Sequence, residues 1–226
     1  MQIITTKDGS HTLFSEQFNE IYHSRHGALQ ESLHVFVRHG LDDVLQSGLP
    51  NNTSPLRIFE VGFGTGLNAL LTMLEAEKKN LPIDYETIEL YPIAINVIKE
   101  LNYTQQLGYE FCYGPYHSLH LCRWNEWHPI TPYFRFKKNN ASLIEFSLPG
   151  NSLHLIYFDA FAPEHQPEMW TAEVFRKMYG ALVAGGKMVT YCSKSSVQRA
   201  MKEAGFTVQK LQGPPGKREM VQAVKK

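Results

Sequence analysis

Residues 157–170 read YFDAFAPEHQPEMW: a short apolar run ends on Asp159, and Phe161, Pro163 and Trp170 follow it. A buried charge is costly, so a carboxylate walled by aromatic rings and prolines needs a reason to be there. Such a group can hold an ammonium in line for attack and accept the proton that an amine must lose. An alkyl ammonium, with a pKa of about 10.4 by analogy with lysine, is mostly protonated near neutral pH. The neighbouring rings would dry the site and can stack on a flat base. The competing reading of Asp159 is a helix-capping aspartate at a strand-to-loop corner.

A second chemical signal is FEVGFGTGLN at 59–68, where Gly62, Gly64 and Gly66 follow a strand-like run and Glu60 precedes them. Glycines allow a sharp turn and a close backbone approach to a ligand. The spacing is Gly-x-Gly-x-Gly, not the Gly-x-Gly-x-x-Gly of dinucleotide enzymes, and no Lys-Ser or Lys-Thr follows to make a P-loop. Such a loop beside a carboxylate suits a cofactor with an amino-acid end and a nucleoside end, as S-adenosylmethionine has. Glu89 closes the next strand-like run, where an acidic side chain can accept hydrogen bonds from both ribose hydroxyls. A surface carboxylate is the plain alternative for Glu89.

These residues need a scaffold, and the chain alternates in a way that supplies one. Strands are expected at 56–62, 85–90, 109–114, 152–159 and 187–193, with a closing hairpin at 207–213 and 219–225. Helices are expected at 67–79, at 92–103 with Pro92 at its first position, at 171–186 stopped by Gly185 and Gly186, and at 195–206 with a serine cap and a glycine stop. Strands alternating with helices imply an α/β fold, a mainly parallel sheet covered on both faces, whose ligands bind past the carboxyl ends of the strands. Glu60, Glu89 and Asp159 all fall at such ends. Residues 1–55 read as an N-terminal extension, mostly helical over 11–50, and 121–148 as an insertion containing a hairpin. Trp124, Trp127, Tyr133, Arg135, Lys137 and Lys138 in that insertion could grip a large substrate, or simply pack on one another as a lid. No internal repeat divides the chain, so 1–226 is expected to be one domain, with its core at 56–226.

The 226 residues carry 22 Lys/Arg and 22 Asp/Glu, a net charge of zero. The distribution is uneven: residues 187–226 hold nine basic and two acidic side chains, which can steer a polyanion to one face. Cys112, Cys122 and Cys192 are too few and too scattered for a disulfide framework or a Cys-x-x-Cys metal site. His23, His26, His34 and His39 form no His-Glu-x-x-His pattern, so no metal is expected. No Gly-x-Ser-x-Gly elbow marks a hydrolase. Without a long apolar run or a leader-like N-terminus, the expectation is a cytoplasmic protein with no membrane partner.

Four stretches, FSEQFNEIYHS…GALQESLHVFV, EVGFGTGLN, FDAFAPEHQPEMW and GPPGKREM, together resemble the MnmC-like methyltransferase domain, the tRNA 5-aminomethyl-2-thiouridine methyltransferase family. The resemblance spans residues 14–220. It implies a Rossmann-like methyltransferase fold with a seven-stranded, mainly parallel sheet, S-adenosylmethionine as methyl donor, and N-methylation of an aminomethyl uridine at the tRNA wobble position. It maps cofactor positions onto Glu60, Gly62, Gly64, Thr65, Gly66 and Glu89, and the amine-handling aspartate onto Asp159, which also borders the cofactor. Phe161, Pro163, Trp170, Lys217 and Arg218 become the substrate-side candidates. There are departures. Pro115 stands where the family often has an adenine-reading aspartate after the third strand, and EHQPEMW replaces a family Lys-Asn before the proline. No flavin-dependent oxidase half falls within the 226 residues, so methyl transfer alone is expected, with a separate FAD-dependent oxidase upstream. An aminopropyltransferase, similar to spermidine synthase, shares the loop and an amine acceptor, but DAFAP lacks that family's second aspartate. A methyltransferase for another amine is a further alternative.

Overall fold

The computed structural model describes residues 1–50, 55–108 and 112–226. An eight-stranded sheet runs through its centre. Its strands are β4 (Leu56–Val61), β5 (Ile83–Ile88), β6 (His128–Thr131), β7 (Phe134–Asn139), β8 (Leu153–Phe158), β9 (Leu182–Thr190), β10 (Thr207–Gln212) and β11 (Glu219–Val224). The spatial order is β10-β11-β9-β8-β4-β5-β7-β6. β9, β8, β4, β5 and β7 run parallel, while β6, β10 and β11 are antiparallel to their neighbours. From β4 the chain moves outward through β5 to β7, and then returns to the other side of β4 for β8 and β9. This reversal opens a crevice at the carboxyl ends of β4 and β8.

Both faces of the sheet are covered, which explains the nearly continuous apolar runs in β4 and β8. On one face Ile58, Tyr85, Phe134, Phe136, Leu155 and Tyr157 pack with α3 (Leu67–Lys79) and the N-terminal helical segment. On the other, Phe59, Val61, Ile156, Phe158 and Met188 pack with α7 (Ala172–Ala181) and α8 (Ser195–Glu203). Thr171 caps α7 by accepting from the Val174 N–H. α8 ends in a pair of bonds, Phe206 N–H to Met201 O and Gly205 N–H to Lys202 O, with Gly205 at φ +106°.

α3 and the terminal hairpin form over their expected residues; other elements differ for identifiable reasons. The N-terminal extension begins with strands, not helix: β1 (Gln2–Thr5), β2 (His11–Ser15) and β3 (Glu20–Ile21) make a small antiparallel sheet. Helix starts only at α1 (Ala28–Ser32), which continues through a π-helical stretch, Leu33–Asp42, into α2 (Asp43–Gln46). Instead of one helix at 92–103 there are two single turns, α4 (Ile95–Ile98) and α5 (Tyr103–Gln106). Asn102 between them is spent on residues 9–11, donating to Gly9 O and accepting from the His11 N–H. The strand expected at 109–114 is not formed where it can be followed: Tyr113–Leu121 is helix α6, and 109–111 lie outside the described residues.

The place beside β5 is instead taken by β7, from the hairpin at 121–148. That segment does fold as a hairpin, but it completes the sheet and does not stand apart as a lid, which makes eight strands where seven were expected. Its Arg135 and Lys137 pair with Asp84 and Glu86 across the β5–β7 register. The helix at 171–186 stops at Ala181, because Leu182 already joins β9 and the paired glycines lie inside that strand, with Gly185 at φ +77°. Ser195 is the first residue of α8 and not its cap; Lys194 holds that position. β5 occupies 83–88, so Glu89 sits just past the strand.

Candidate active site

The crevice holds a cavity of about 520 Å³. Its inner wall is the turn after β4. Gly62, Gly64 and Gly66 all have positive φ, +87°, +47° and +73°. At Gly62 a Cβ would lie 2.7 Å from the Asp159 carbonyl oxygen, so the ends of β4 and β8 can approach only if this residue lacks a side chain. The ladder continues past the strands: the Gly62 N–H donates to Ile88 O, Glu89 N–H to Asn139 O and Asp159 N–H to Val61 O. The ends of β4, β5, β7 and β8 are thereby fixed relative to one another.

Glu89 accepts from the Gly64 N–H at 3.0 Å and the Tyr91 N–H at 2.8 Å. Burial raises its pKa, and those backbone donors offset part of the rise. Thr65 is anchored at both ends: its hydroxyl lies 2.8 Å from His23 Nε2, and its carbonyl accepts from the Tyr116 hydroxyl. Asp159 Oδ2 accepts from Asn68 Nδ2 at 2.8 Å. Burial, with the Glu31 charge adding to it, raises the Asp159 pKa to about 7 against the opposing effects of Asn68 and Lys217.

The outer wall comes from three remote segments. Phe18 stacks on Phe161 with ring centroids 4.5 Å apart, and Tyr22 meets Phe161 edge-on at 4.9 Å. Phe161 is braced from behind, its N–H donating to Gln166 Oε1 and its carbonyl accepting from Trp170 Nε1. The β10–β11 turn brings Lys217 over the Tyr191 ring, 3.9 Å from its centroid, where it donates to Glu31 Oε1 at 2.6 Å. The other Glu31 oxygen accepts from the Ser24 N–H at 2.7 Å.

Of the residues singled out from the sequence, Gly62, Gly64, Thr65, Glu89, Asp159, Phe161 and Lys217 line this cavity together. Glu60 does not: strand alternation turns its side chain to the α3 face, where it is fully buried. Gly66 caps α3, with His120 filling the space a Cβ would need. Trp170 packs on Phe158 and Tyr191 behind Phe161. Pro163 and the exposed Arg218 are also off the lining. Pro115 lies within α6, so the segment that follows the strand beside β5 is Asn140–Ile144, and Ala141, Ser142, Leu143 and Ile144 line the cavity. Sequence reading assigned no role to Tyr22, Glu31, Asn68 or Tyr191, and it weighed His23 only as a metal ligand. The N-terminal stretch of the resemblance was the available signal for Tyr22, His23 and Glu31.

Comparison with known proteins bears on this geometry. A family model described as an S-adenosyl-L-methionine-dependent methyltransferase matches residues 136–226. The solved structure of MNMC2 from Aquifex aeolicus superposes with a TM-score of 0.78 at 26% identity, covering 100% of this chain and 70% of that one. This is the fold of an S-adenosylmethionine-dependent methyltransferase. A tRNA 5-methylaminomethyl-2-thiouridine biosynthesis bifunctional protein MnmC from Nitrosospira multiformis is 32% identical over 221 residues, 93% of this chain and 35% of that protein. The MnmC protein of Leptospira borgpetersenii is 29% identical over 229 residues, with 93% and 33% covered. The chain is thus similar to MnmC proteins along nearly all of its own length, and it spans about a third of theirs. Such similarity does not favour the aminopropyltransferase alternative.

Proposed function

We propose that this protein is an S-adenosylmethionine-dependent N-methyltransferase that converts 5-aminomethyl-(2-thio)uridine to 5-methylaminomethyl-(2-thio)uridine at the tRNA wobble position. One observation carries the reading: Asp159, a carboxylate set to titrate near neutrality, faces the same cavity as the glycine turn that follows β4. The similarity to MnmC proteins supports the substrate class.

The cavity fits the cofactor. Its volume falls within the roughly 300–1,000 Å³ of small-molecule sites. The Gly62–Thr65 turn offers a cradle that side chains would fill, and Glu89 stands at the end of β5 beside it. These residues would hold the methionine end and the ribose, with Leu90, Tyr91, Leu143 and Ile144 as apolar surface for the base. When bound, the cofactor supplies an electrophilic methyl group on a sulfonium. Asn68 occupies Asp159 Oδ2, and Oδ1 accepts a hydrogen bond from the substrate ammonium, aligns it and takes its proton. Phe161, held by Gln166 and Trp170 and covered by Phe18, shields this step from water.

A protonated Asp159 cannot accept, so activity rises with pH through about 7. Loss of the amine's own proton pushes the same way. A basic exterior that includes Arg218 would receive the tRNA. A separate FAD-dependent oxidase upstream would generate the aminomethyl uridine, and the reaction would take place in the cytoplasm. Among the described residues no helix is long and apolar enough to cross a membrane.

The deciding experiment incubates the protein with S-adenosylmethionine and tRNA bearing 5-aminomethyl-uridine, digests the tRNA and weighs the nucleosides. A methyl-mass gain on that nucleoside alone is expected. No gain, from protein shown to bind the cofactor, would reject the substrate and send the search to other amines.

A further inference from the structure

Glu60 is a carboxyl that the mechanism above leaves idle. It is the penultimate residue of β4, fully buried, and absent from the cavity lining. Neither of its oxygens meets a hydrogen-bond partner among the described residues, and the same is true of Asn68 Oδ1 and the Tyr85 hydroxyl. Yet Asn68, Thr87 and Tyr85 all pack against it. Four buried polar atoms from three neighbouring side chains are therefore unsatisfied together, which native interiors rarely tolerate.

A proton on Glu60 would supply the donor that Asn68 Oδ1 lacks. An ionised Glu60 offers only acceptors to Asn68 Oδ1, itself an acceptor. The titratable groups that face Glu60 from the packed elements are Tyr85 on β5 and Tyr157 and Asp159 on and after β8; the tyrosines are held neutral by burial, and of the three only Asp159 opposes a negative charge on Glu60, while Asn68, Thr87 and Tyr85 favour one. Burial acts first and the Asp159 charge second, both raising the Glu60 pKa well above its ordinary value.

Asn68 makes this consequential. Its amide nitrogen donates to Asp159 Oδ2, so whatever holds Oδ1 of Asn68 sets the aim of the Asp159 carboxylate. We propose that Glu60 is a neutral carboxylic acid that orients the Asn68 amide and, through it, the Asp159 carboxylate, making Glu60 a positioning residue and not a cofactor ligand. The kinetic consequence rests on the reading of Asp159 as the group that holds the amine.

Infrared difference spectroscopy tests the protonation directly. At pH 8 the wild-type protein should show the carbonyl stretch of a protonated carboxylic acid; Glu60→Gln should lack it, and Asp159→Asn should retain it. Kinetics tests the positioning. Glu60→Met should lower kcat by about 10- to 100-fold, with cofactor affinity held within about threefold, because misaligned groups lose rate more than binding. Glu60→Gln, which keeps a donor and an acceptor, should recover at least about tenfold of that loss and restore the wild-type midpoint of the pH profile. Absence of the carboxylic band at pH 8, a Glu60→Met protein whose loss is in cofactor affinity and not in kcat, or a Glu60→Gln protein no faster than Glu60→Met, would overturn the proposal. Should wild type fail to methylate aminomethyl-uridine tRNA, the substrate reading falls, while the infrared band still decides the state of Glu60.

Discussion

The two walls of the cavity are built on different principles. The inner wall is short-range: one strand, one glycine turn and one helix start deliver Gly62, Gly64, Thr65 and Asn68 within a single stretch, and hydrogen bonds from the Gly64 N–H to the Glu89 carboxylate, from the Asp159 N–H to Val61 O and from the Asn68 amide to the Asp159 carboxylate fix it to its neighbours. The outer wall is long-range: Phe18, Tyr22 and Glu31 precede the core strands, and they meet Phe161 and Lys217, the latter lying over Tyr191, from the other half of the chain. On the proposed reading the inner wall holds the cofactor, whose backbone cradle is the same whatever the acceptor, and the outer wall, assembled from side chains that can change without disturbing a strand, faces the acceptor. His23 joins the two, reaching from the outer segment to the Thr65 hydroxyl.

Substitutions can break each wall separately. The largest effect is expected where the walls meet. Asp159→Asn should lower the transfer rate by roughly 10²- to 10⁴-fold, the range for a positioned proton acceptor, with cofactor affinity largely kept. The same change should stabilise the protein. Because the folded carboxyl titrates near 7 and the unfolded one near 3.8, the folded state binds more protons between those values. Wild type therefore loses stability as pH rises through that window, and the asparagine variant should be more stable at pH 8 by on the order of 2 kcal/mol, with the gap closing near pH 4. Denaturant titrations at the two pH values check the sign; an equal or lower stability at pH 8 would remove Asp159 from its buried setting.

Next in size is Gly62→Ala, which attacks the inner wall alone. Positive φ and a Cβ 2.7 Å from the Asp159 carbonyl should cost about 1–3 kcal/mol and weaken cofactor binding. Calorimetric titration with S-adenosylmethionine measures the second effect, and wild-type affinity would refute the tight approach of β4 and β8.

Glu31→Ala breaks the outer wall. It leaves the Lys217 ammonium, about a third exposed, without its carboxylate, and should cost about 1 kcal/mol of stability, since solvent softens the penalty. The acceptor KM should rise while cofactor affinity stays. A parallel loss of cofactor affinity would show that the walls are coupled more tightly than their separate origins imply. The smallest effect belongs outside both walls: Arg218→Ala should reduce the salt dependence of tRNA binding by about one unit of slope and leave cofactor affinity alone.

The fate of individual segments shows how far a sequence can be read. Helix α3 and the glycine turn formed over the expected residues because their signals, apolar spacing and glycines at a strand end, are local. Gly185 and Gly186 misled for the opposite reason: glycines stop helices when nothing else intervenes, yet here β8 recruits Leu182 onward as a parallel partner and the glycines lie within a strand. Residues 109–114 carried a strand-like pattern, but the hairpin at 128–139 pairs with β5, and Tyr113 and Gly114 enter a helix. A segment's own pattern cannot say which of two candidate strands will reach a given edge.

The same division holds within the site. Sequence by itself determined that Asp159 closes a buried strand-like run, that three glycines shape the turn after β4, and that Glu89 lies at the end of the next strand-like run, because each statement depends only on residues adjacent in the chain. Tertiary structure alone decided that Asn68 holds Asp159, that Glu60 turns away from the cavity, and that Glu31 meets Lys217 over Tyr191. Those contacts join residues far apart in the chain, and a side chain's partner there is set by sheet order and strand register, which no single segment encodes.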